Sequence, residues 1–301
     1  LRILYGRAQT PTTSGMKKSR KVAVLSVLPN LGEANIIKFF ELGSHGFAFK
    51  YYFENGYSIN DAEITSTTLR RMTGFVTIIN QSLGYLGSNF PTAVATVLHP
   101  LLYTIAVSYA SAANEESSDF EGKLSSNLRQ QSLKCLNAIF QTLEDKHNWS
   151  QDVEEIYNIV LKPRLETFAN ENLQQPSSLL KLIIFWAKSK SFYEFLYFDN
   201  FSVTKVLMET ISNEHAKEAV INVILDGSNE IISKPSQDDK YVELVSIVAS
   251  TCLQMLPQLY ERMVNVETMS KAVTLLLNMT EAGYIQSNDT RKYLLESLQL
   301  I

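Results

Sequence analysis

The stretch ITSTTLRRMTGFVTIINQSLGYL, residues 64–86, decides the fold class. Its apolar residues recur at steps of three and four, which places them along one face of an α-helix. These residues are Ile64, Leu69, Met72, Phe75, Val76, Ile79, Leu83 and Leu86. After residue 60 no segment shows the convincing two-residue alternation of a strand. We therefore predict an all-α fold.

The same helical periodicity recurs along the rest of the chain. Gly87 and Pro91 interrupt the first long helix, and Pro91 suits the first turn of the next one. Residues 21–29 could form a strand or a short helix, and residues 43–60 are predicted to be irregular. Further helices are predicted over residues 33–42, 92–111, 124–145, 152–171, 177–189, 203–211, 215–232, 239–263, 267–282 and 288–300.

The spacing of the long helices indicates a repeat array. They begin near residues 64, 124, 178 and 239, which is wider than the repeat of about 40–47 residues in HEAT or armadillo proteins but suits a degenerate array. A helix pair cannot bury its apolar stripe alone, whereas stacked pairs can. We predict an α-solenoid of HEAT/armadillo-like helical repeats over residues 31–301. Residues 1–30 are predicted to hold the end of a helix, a basic loop and a short apolar element.

Residues 126–136 show the expected pattern of one repeat helix. Arg129 and Lys134 are predicted to stay in water. The residues predicted to face inward are Leu128, Ser132, Leu133 and Leu136. Both ends of the chain fall in uncapped apolar stretches, which indicates a fragment of a longer superhelix.

The composition is that of a folded protein without a disulfide framework. Apolar residues make up 45% and charged residues 19% of the 301 residues, which excludes a disordered chain. Cys135 and Cys252 are too few for a disulfide framework or a four-cysteine zinc site. We predict that both are buried thiols, because free cysteine is among the most buried residue types.

Positive charge is concentrated at the N-terminal end. Residues 1–30 carry six of the 27 bases and none of the 31 acids, so the remaining residues are strongly acidic. Residues 7–20 are polar and are predicted to form an exposed loop. Lys and Arg on a flexible loop can contact RNA phosphates without fixed geometry, but a merely solvated loop explains the charge equally well. The candidate RNA-contact residues are Arg7, Lys17, Lys18, Arg20 and Lys21.

No motif predicts catalysis, a cofactor or a metal site. Neither Gly-rich phosphate-binding pattern is present, and the GSHG stretch at residues 43–46 is interpreted as a turn. The four histidines share no helix face, and no C-x-x-C occurs. His215, with Glu214 and Glu218 nearby, is interpreted as an exposed helix start. We predict a protein that is not an enzyme and takes no cofactor or small-molecule substrate.

Residues 72–114 contain no Asp, Glu, Lys or Arg, and their length would allow a membrane hairpin. The many Thr, Ser, Asn and Gln residues among them argue against that interpretation. We predict a helix pair buried between neighbouring helices, and no membrane contact.

Aromatic residues cluster at residues 39–57 and at residues 185–201. Aromatics interleaved with bases can stack on the bases of single-stranded RNA. Only Lys38 and Lys50 accompany the first group, and Lys188 and Lys190 the second. Core packing combined with a partner-binding surface is therefore the preferred interpretation of both groups.

Three stretches resemble one known family. They are residues 1–7 (LRILYGR) with the basic loop at 17–20 (KKSR), residues 69–72 (LRRM) at the start of the long helix, and residues 177–187 (SSLLKLIIFWA). In order and spacing they are similar to the DRIM (down-regulated in metastasis) family, which consists of giant HEAT/armadillo-repeat scaffold proteins. The sequence resembles the fungal members.

The resemblance implies a non-catalytic scaffold subunit of the nucleolar small-subunit processome, or 90S pre-ribosome. Its expected role is to support pre-ribosomal RNA processing and small ribosomal subunit assembly through multivalent protein and RNA contacts. The expected partners are pre-ribosomal RNA, small nucleolar RNA or both, together with other processome proteins, in the nucleolus. An alternative stays open: a protein-only α-solenoid adaptor or transport-receptor-like module that does not bind RNA.

Overall fold

The computed structural model describes residues 25–59, 64–113, 119–189, 193–233, 239–262 and 265–282, together with Ala23 and Leu295. These residues form helices and turns, and no strand occurs among them. The chain divides into two compact units, Leu1–Asn148 and Trp149–Ile301. The boundary predicted at residue 30 stays a prediction.

The first unit contains three helices of 20 residues or more and two shorter ones among its described residues. Thr65 caps the third helix, because its hydroxyl accepts the N–H of Thr68 at 3.2 Å. Gly87, with φ 47°, ends that helix and opens a 3₁₀ turn, Gly87–Ala93, that contains Pro91. The helices are α1 Glu33–Ser44, α2 Phe49–Glu54, α3 Ser66–Leu86, α4 Val94–Ala113 and α5 Asp119–Leu143.

Helices α3, α4 and α5 pack with alternating direction. Thr77 of α3 donates to Gln131 of α5 at 3.5 Å, and Arg70 lies over the Phe120 ring, so α3 and α5 run parallel. Ser125 of α5 donates to Ser111 of α4 at 2.6 Å. In the same helix pair Arg129 lies over the Tyr109 ring. These two contacts show that α4 and α5 are antiparallel.

The second unit continues with shorter segments and then four long helices. The α-helices given bounds among its described residues are α6 Val153–Ile156, α7 Leu165–Glu171, α8 Ser178–Lys188, α9 Phe198–Ser212, α10 Glu218–Ser233, α11 Asp239–Glu261 and α12 Val266–Glu281. Ser177 caps α8 by accepting the N–H of Leu180 at 3.1 Å. Asn265 caps α12 by accepting the N–H of Thr268 at 2.9 Å.

Alternate helices of the second unit form two layers. One layer consists of α7, α9 and α11, and the other of α8, α10 and α12. Helix α10 packs mainly on α8 and α12, which lie two positions away in chain order, and less on its sequence neighbours α9 and α11. This arrangement is that of stacked helical repeats, in which each unit buries the apolar face of the next. The predicted all-α helical-repeat fold is confirmed.

A ladder of polar contacts fixes the register of α10 on α12. Lys271 of α12 lies 3.0 Å from Asp226 of α10, and Asn278 donates to Asn229 at 3.0 Å. From one contact to the next, the residue numbers increase in the same direction along both helices. Helices α10 and α12 are therefore parallel. Glu218 accepts the backbone N–H of Asn265 at 3.1 Å and also its side-chain amide, which joins the start of α10 to the cap of α12.

The predicted repeat pattern of residues 126–136 is confirmed except at Arg129. Leu128, Leu133, Leu136 and Ser132 are all buried, and Lys134 is exposed. The Arg129 side chain is half-buried, because its guanidinium stacks 4.9 Å from the centre of the Tyr109 ring.

The helix predicted over 152–171 is confirmed, because residues 153–171 are helical throughout, but it is not a regular α-helix. Helix α6 passes into a π-helical turn at Tyr157–Leu161 and a 3₁₀ turn at Lys162–Arg164 before α7 begins. Pro163 is the physical reason, because proline lacks the N–H that a continuous helix needs and its ring crowds the preceding turn.

Residues 43–60 are not irregular throughout, because they contain the short helix α2. The helix predicted from residue 203 is confirmed, because Asp199, Asn200 and Phe201 of α9 have left-handed φ values and the right-handed helix begins only after them. Ala23 and Leu25 are helical and Leu28–Asn30 form a 3₁₀ turn, so helix is the better of the two alternatives for 21–29. The helix predicted at 288–300 lies outside the described residues apart from Leu295.

The repeat length is shorter than the sequence indicated. Helices α8, α10 and α12 begin at Ser178, Glu218 and Val266, so successive members of this layer are 40 and 48 residues apart. The predicted steps counted only the most apolar helices and missed α10, which begins a repeat of its own.

Gly227 sets the distance between α8 and α10. A Cβ atom at this position would lie 2.8 Å from Cδ1 and 3.3 Å from Cγ2 of Ile184. Gly227→Leu is expected to lower the free energy of unfolding by about 1–3 kcal/mol, because the added side chain overpacks the contact. Urea denaturation measures the change. Gly84 on α3 is the control, since nothing lies within 4 Å of it and Gly84→Leu should raise helix stability by up to about 0.8 kcal/mol. Equal effects at the two sites would contradict the close approach.

Candidate interaction surfaces

The five predicted RNA-contact residues lie outside the described part of the chain. Arg7, Lys17, Lys18, Arg20 and Lys21 all fall within residues 1–22. Their assignment stays a prediction based on charge and on the flexible composition of the loop.

Described arginines of the first unit are engaged in packing. Arg71 donates from Nη2 to the carbonyl oxygen of His45 at 2.8 Å, and its guanidinium carbon lies 5.8 Å from the centre of the Phe47 ring. This contact ties the turn after α1 to α3. The turn carries Gly46 at φ 83°. The interpretation of residues 43–46 as a turn is therefore confirmed for His45 and Gly46, whereas Gly43 and Ser44 belong to α1. Arg70 lies 5.3 Å from the Phe120 ring centre.

The first aromatic group is divided between the core and the surface. Phe39, Phe40, Phe47 and Tyr52 are buried, with Phe40 fully inaccessible. Phe40 packs edge-on against Phe90 at 5.9 Å between ring centres. These contacts join α1 to the turn before α4 and show that half of the group is ordinary core.

The other members of this group form an exposed aromatic surface around α2. Tyr51 is 54% exposed and Tyr57 is 40% exposed, values that are high for aromatic side chains. The half-buried Phe53 packs edge-on against Tyr57, with 6.0 Å between ring centres, and stacks on His99 of α4, with 4.3 Å between ring centres. Helix α2 ends at Glu54, and Gly56 and Tyr57 follow it in left-handed conformations with φ 62° and 64°. We call Tyr51, Phe53, Tyr57 and His99 the α2 aromatic surface.

The second aromatic group is mainly core among its described members. Trp186, Phe195 and Phe201 are buried, and Trp186 packs edge-on against Phe195 with 5.3 Å between ring centres. Tyr197 and Phe198 are half-buried. Partner binding is therefore less supported for this group than for the α2 aromatic surface.

A polar cluster that sequence reasoning missed joins the π-helical turn to α9. The hydroxyl of Tyr157 donates to Asp199 at 2.9 Å and lies 3.0 Å from the hydroxyl of Ser202. Lys162 lies 2.9 Å from the same Asp199 oxygen. Because 42 residues separate Tyr157 from Asp199 in sequence, no local pattern could have signalled this contact.

The charges of this cluster shift two pKa values in opposite directions. Hydrogen bonds from Lys162 and Tyr157 lower the pKa of the Asp199 carboxyl. Partial burial raises the pKa of the Tyr157 hydroxyl, and Asp199 adds to that effect. A lowered carboxyl pKa contributes stability above the unfolded-state pKa, and that stability is lost as the pH falls through the folded-state pKa. The geometry ties two elements together and holds no reacting group.

The backbone at the start of α9 is left-handed over three successive residues. Asp199, Asn200 and Phe201 have φ values of 47°, 56° and 60°. Non-glycine residues adopt this conformation only at a cost, and rarely in succession. The buried ring of Phe201 and the contacts of Asp199 with Tyr157 and Lys162 hold the turn in place.

The cysteine and histidine side chains that could serve in catalysis or metal binding lie in environments that fit a structural role. Cys135 and Cys252 are buried as predicted, and burial raises the pKa of the Cys252 thiol to about 12 and that of Cys135 further still. Thiols with raised pKa values are poor nucleophiles at neutral pH. Within the described ranges no group of three His, Cys, Asp or Glu side chains could hold a metal ion. His215 is exposed but precedes α10 and lies 3.6 Å from Glu214, so its interpretation as a helix start is wrong by three residues.

One described helical stretch, Phe90–Ser111, is long and apolar enough to cross a membrane. Yet 72% of an apolar 18-residue segment of this stretch is buried inside the protein. There the helix packs on α1, α2 and α5. A core helix explains both its composition and its burial, in line with the buried helix pair predicted from the sequence.

Comparison with known proteins identifies the chain's relatives. A family model described as U3 small nucleolar RNA-associated protein 20, N-terminal, matches residues 1–301. The chain is 46% identical over 299 residues to U3 small nucleolar RNA-associated protein 20 of Saccharomyces cerevisiae. It is 27% identical over 248 residues to the protein of the same name in Schizosaccharomyces pombe.

The matched region is a small part of each relative. It covers 99% of this chain but 12% of the Saccharomyces cerevisiae protein, and 80% of this chain but 10% of the Schizosaccharomyces pombe protein. Activities and partners of the whole relatives therefore extend to this chain only as proposals.

In a regular helix an alanine variant is more stable than a glycine variant, and the left-handed turn predicts the opposite order at Asn200. Glycine tolerates a positive φ without a steric cost, whereas alanine does not. Asn200→Gly should therefore be more stable than Asn200→Ala by about 1 kcal/mol, measured by urea denaturation. At the exposed Asn35 in α1 the alanine variant should be the more stable by about 1 kcal/mol. Greater stability of alanine at both positions would contradict the left-handed turn.

Proposed function

The chain belongs to the family of U3 small nucleolar RNA-associated protein 20, and on this premise we propose that it is a non-catalytic scaffold segment of the nucleolar small-subunit processome. There it would support pre-ribosomal RNA processing and assembly of the small ribosomal subunit. The observation that carries the proposal is the 46% identity that extends over 99% of the chain to a protein named for its association with U3 small nucleolar RNA.

The packing of the second unit supports a scaffold role. Alternate helices stack at intervals of 40 and 48 residues, close to the spacing of HEAT and armadillo repeats, and we assign the repeats to that class. Arrays of this kind present extended surfaces rather than a closed reaction cleft. Many weak contacts on one rigid array raise the total affinity through effective concentration.

The proposed RNA contacts lie in the basic N-terminal stretch. Arg7, Lys17, Lys18, Arg20 and Lys21 stand in a region without acids, whereas the rest of the chain has more acids than bases. Described arginines of the first unit stack on aromatic rings, which engages part of their cationic surface. Local attraction of the phosphates of U3 small nucleolar RNA or pre-ribosomal RNA is therefore assigned to residues 7–21.

We expect the salt dependence of RNA binding to test these contacts. In the full-length protein, alanine at all five positions should weaken binding to U3 small nucleolar RNA and reduce the slope of log affinity against log salt by about 3–4, because each phosphate contact with single-stranded RNA contributes about 0.7. Filter binding at several salt concentrations gives this slope.

A matched control removes five exposed lysines elsewhere in the chain. Alanine at these positions makes the same change in net charge and should leave the slope nearly unchanged. They are Lys38, Lys123, Lys134, Lys181 and Lys205. Equal loss in the two variants would reject a local contact, and no loss in either would reject the RNA role of residues 7–21.

The α2 aromatic surface favours a second function, in which the chain binds a partner protein and does not bind RNA. Tyr51 and Tyr57 are exposed, and exposed tyrosines are enriched at protein interfaces. In this alternative the chain is an adaptor or transport-receptor-like module, and the basic stretch is only solvated.

Affinity purification with and without ribonuclease separates the two functions. If the α2 aromatic surface binds protein, Tyr51→Ala with Tyr57→Ala should remove specific partners that persist after ribonuclease treatment. The matched variant Tyr51→Phe with Tyr57→Phe keeps the rings and should retain those partners. Recovery of every partner by the alanine variant would contradict docking at this surface.

A further inference from the structure

A carboxylate stands between the two exposed tyrosines of the α2 aromatic surface. Tyr51 and Glu54 lie three positions apart on α2, a spacing that places two side chains on the same face of a helix. Tyr57 follows Glu54 by three positions, in the turn after the helix. All three side chains are exposed, so a partner can reach two rings and one negative charge within a single turn of chain.

Backbone hydrogen bonds fix the turn that carries Tyr57. The N–H of Asn55 donates to the carbonyl oxygen of Tyr51 at 2.9 Å, and the N–H of Tyr57 donates to that of Tyr52 at 2.9 Å. Gly56 lies between them at φ 62°. A left-handed glycine followed by a bond back over five residues is the Schellman ending of a helix, and it holds Tyr57 at a defined position beside α2.

Neighbouring rings support Tyr57 from below. Its ring centre lies 5.5 Å from that of the buried Tyr52 and 6.0 Å from that of Phe53. Phe53 in turn stacks on His99 of α4. Rigid aromatic side chains that are already ordered lose little conformational entropy when a ligand binds, so this arrangement favours binding at the exposed part of the Tyr57 ring.

The charge around this surface is negative. Among the described residues Glu54 forms no ion pair, although Lys50 precedes it by four positions. Residues 31–63 hold five acids and only two bases. A surface of this charge attracts cationic segments and repels polyanions, so RNA phosphates are disfavoured here even though bases could stack on tyrosine rings.

An arginine side chain matches both chemical groups of the surface. The faces of tyrosine rings attract cations, and arginine is the more frequent partner in such contacts. Its planar guanidinium can stack on a ring and also donate paired hydrogen bonds to a carboxylate. Tyr51 and Tyr57 would supply the rings, and Glu54 would supply the carboxylate.

We infer that Tyr51, Glu54 and Tyr57 form a docking site for a basic, arginine-containing segment of a partner protein. The guanidinium of the segment stacks on a tyrosine ring and pairs with Glu54. Charge complementarity identifies this occupant, because acids outnumber bases around α2. The inference rests on the second proposed function, protein docking at the α2 aromatic surface, and adds the chemical class of the docked segment. It is independent of the RNA contacts proposed for residues 7–21.

Photo-cross-linking of a peptide to the full-length protein tests this site. The probe is a peptide of alternating arginine and glycine that carries one benzophenone amino acid. Mass spectrometry locates the links, and their yield at residues 50–57 against peptide concentration gives the affinity of this site. A peptide with citrulline in place of arginine keeps the shape without the charge and should give no links there.

Substitutions separate the contributions of the carboxylate and the rings. Glu54→Gln should weaken binding about two- to five-fold, the range of an exposed ion pair. Tyr51→Ala with Tyr57→Ala should weaken it about five- to thirty-fold through loss of two cation–π contacts, whereas the matched phenylalanine variant should retain binding. Glu209→Gln, at an exposed glutamate of α9, makes the same change in charge and should leave the affinity unchanged.

Three results would overturn the inference. One is the absence of peptide links at residues 50–57, and another is equal linking by the arginine and citrulline peptides. The third is ultraviolet cross-linking of RNA to Tyr51 or Tyr57, which would assign this surface to nucleic acid.

Affinity purification after ribonuclease treatment distinguishes failure of this inference from failure of protein docking itself. Reduced recovery of the same partners by Glu54→Gln and by the double alanine variant at Tyr51 and Tyr57 is the expected result. Partners lost by the double alanine variant but fully retained by Glu54→Gln would reject the arginine site and leave docking intact. Full recovery of every partner by both variants would reject docking and the arginine site together.

Discussion

Burial of an apolar stripe on each helix by the helix two positions along the chain is the constraint on which the second unit depends. Helix α10 illustrates it, because α8 covers one side and α12 the other. Each fully buried leucine or isoleucine contributes about 2 kcal/mol, and α10 buries five such residues: Ile221, Ile224, Leu225, Ile231 and Ile232. Neither neighbour alone could provide that burial, so the repeats stabilise one another as a stack.

Polar contacts fix the relative register of the helices that this apolar packing holds together. The Asp226–Lys271 and Asn229–Asn278 contacts fix which turn of α10 meets which turn of α12. The close approach of α8 and α10 depends on a different feature, because Gly227 of α10 leaves the space that Ile184 of α8 fills. The combination gives a framework with defined geometry and variable outer faces, which agrees with the proposed role of holding partners in place rather than transforming a substrate.

The candidate residues differ in whether their side chains are buried in the core or exposed. Cys135, Cys252 and much of both aromatic groups are buried in the core. Arg71 is similarly engaged, through the carbonyl of His45 and the ring of Phe47. The α2 aromatic surface remains exposed, with Glu54 between its two exposed tyrosines in the sequence. The predicted RNA contacts belong to residues 7–21.

The sequence by itself determined the all-α class, the inward face of residues 126–136, the buried thiols and the family, because helical period and local motifs are properties of neighbouring residues. Only the tertiary structure decided the left-handed turn at 199–201 and its contacts with Tyr157. It also decided the pairing of α10 with α8 and α12. These features depend on contacts between residues some forty positions apart, where the free energy of packing outweighs local propensity and leaves no periodic signal in the chain.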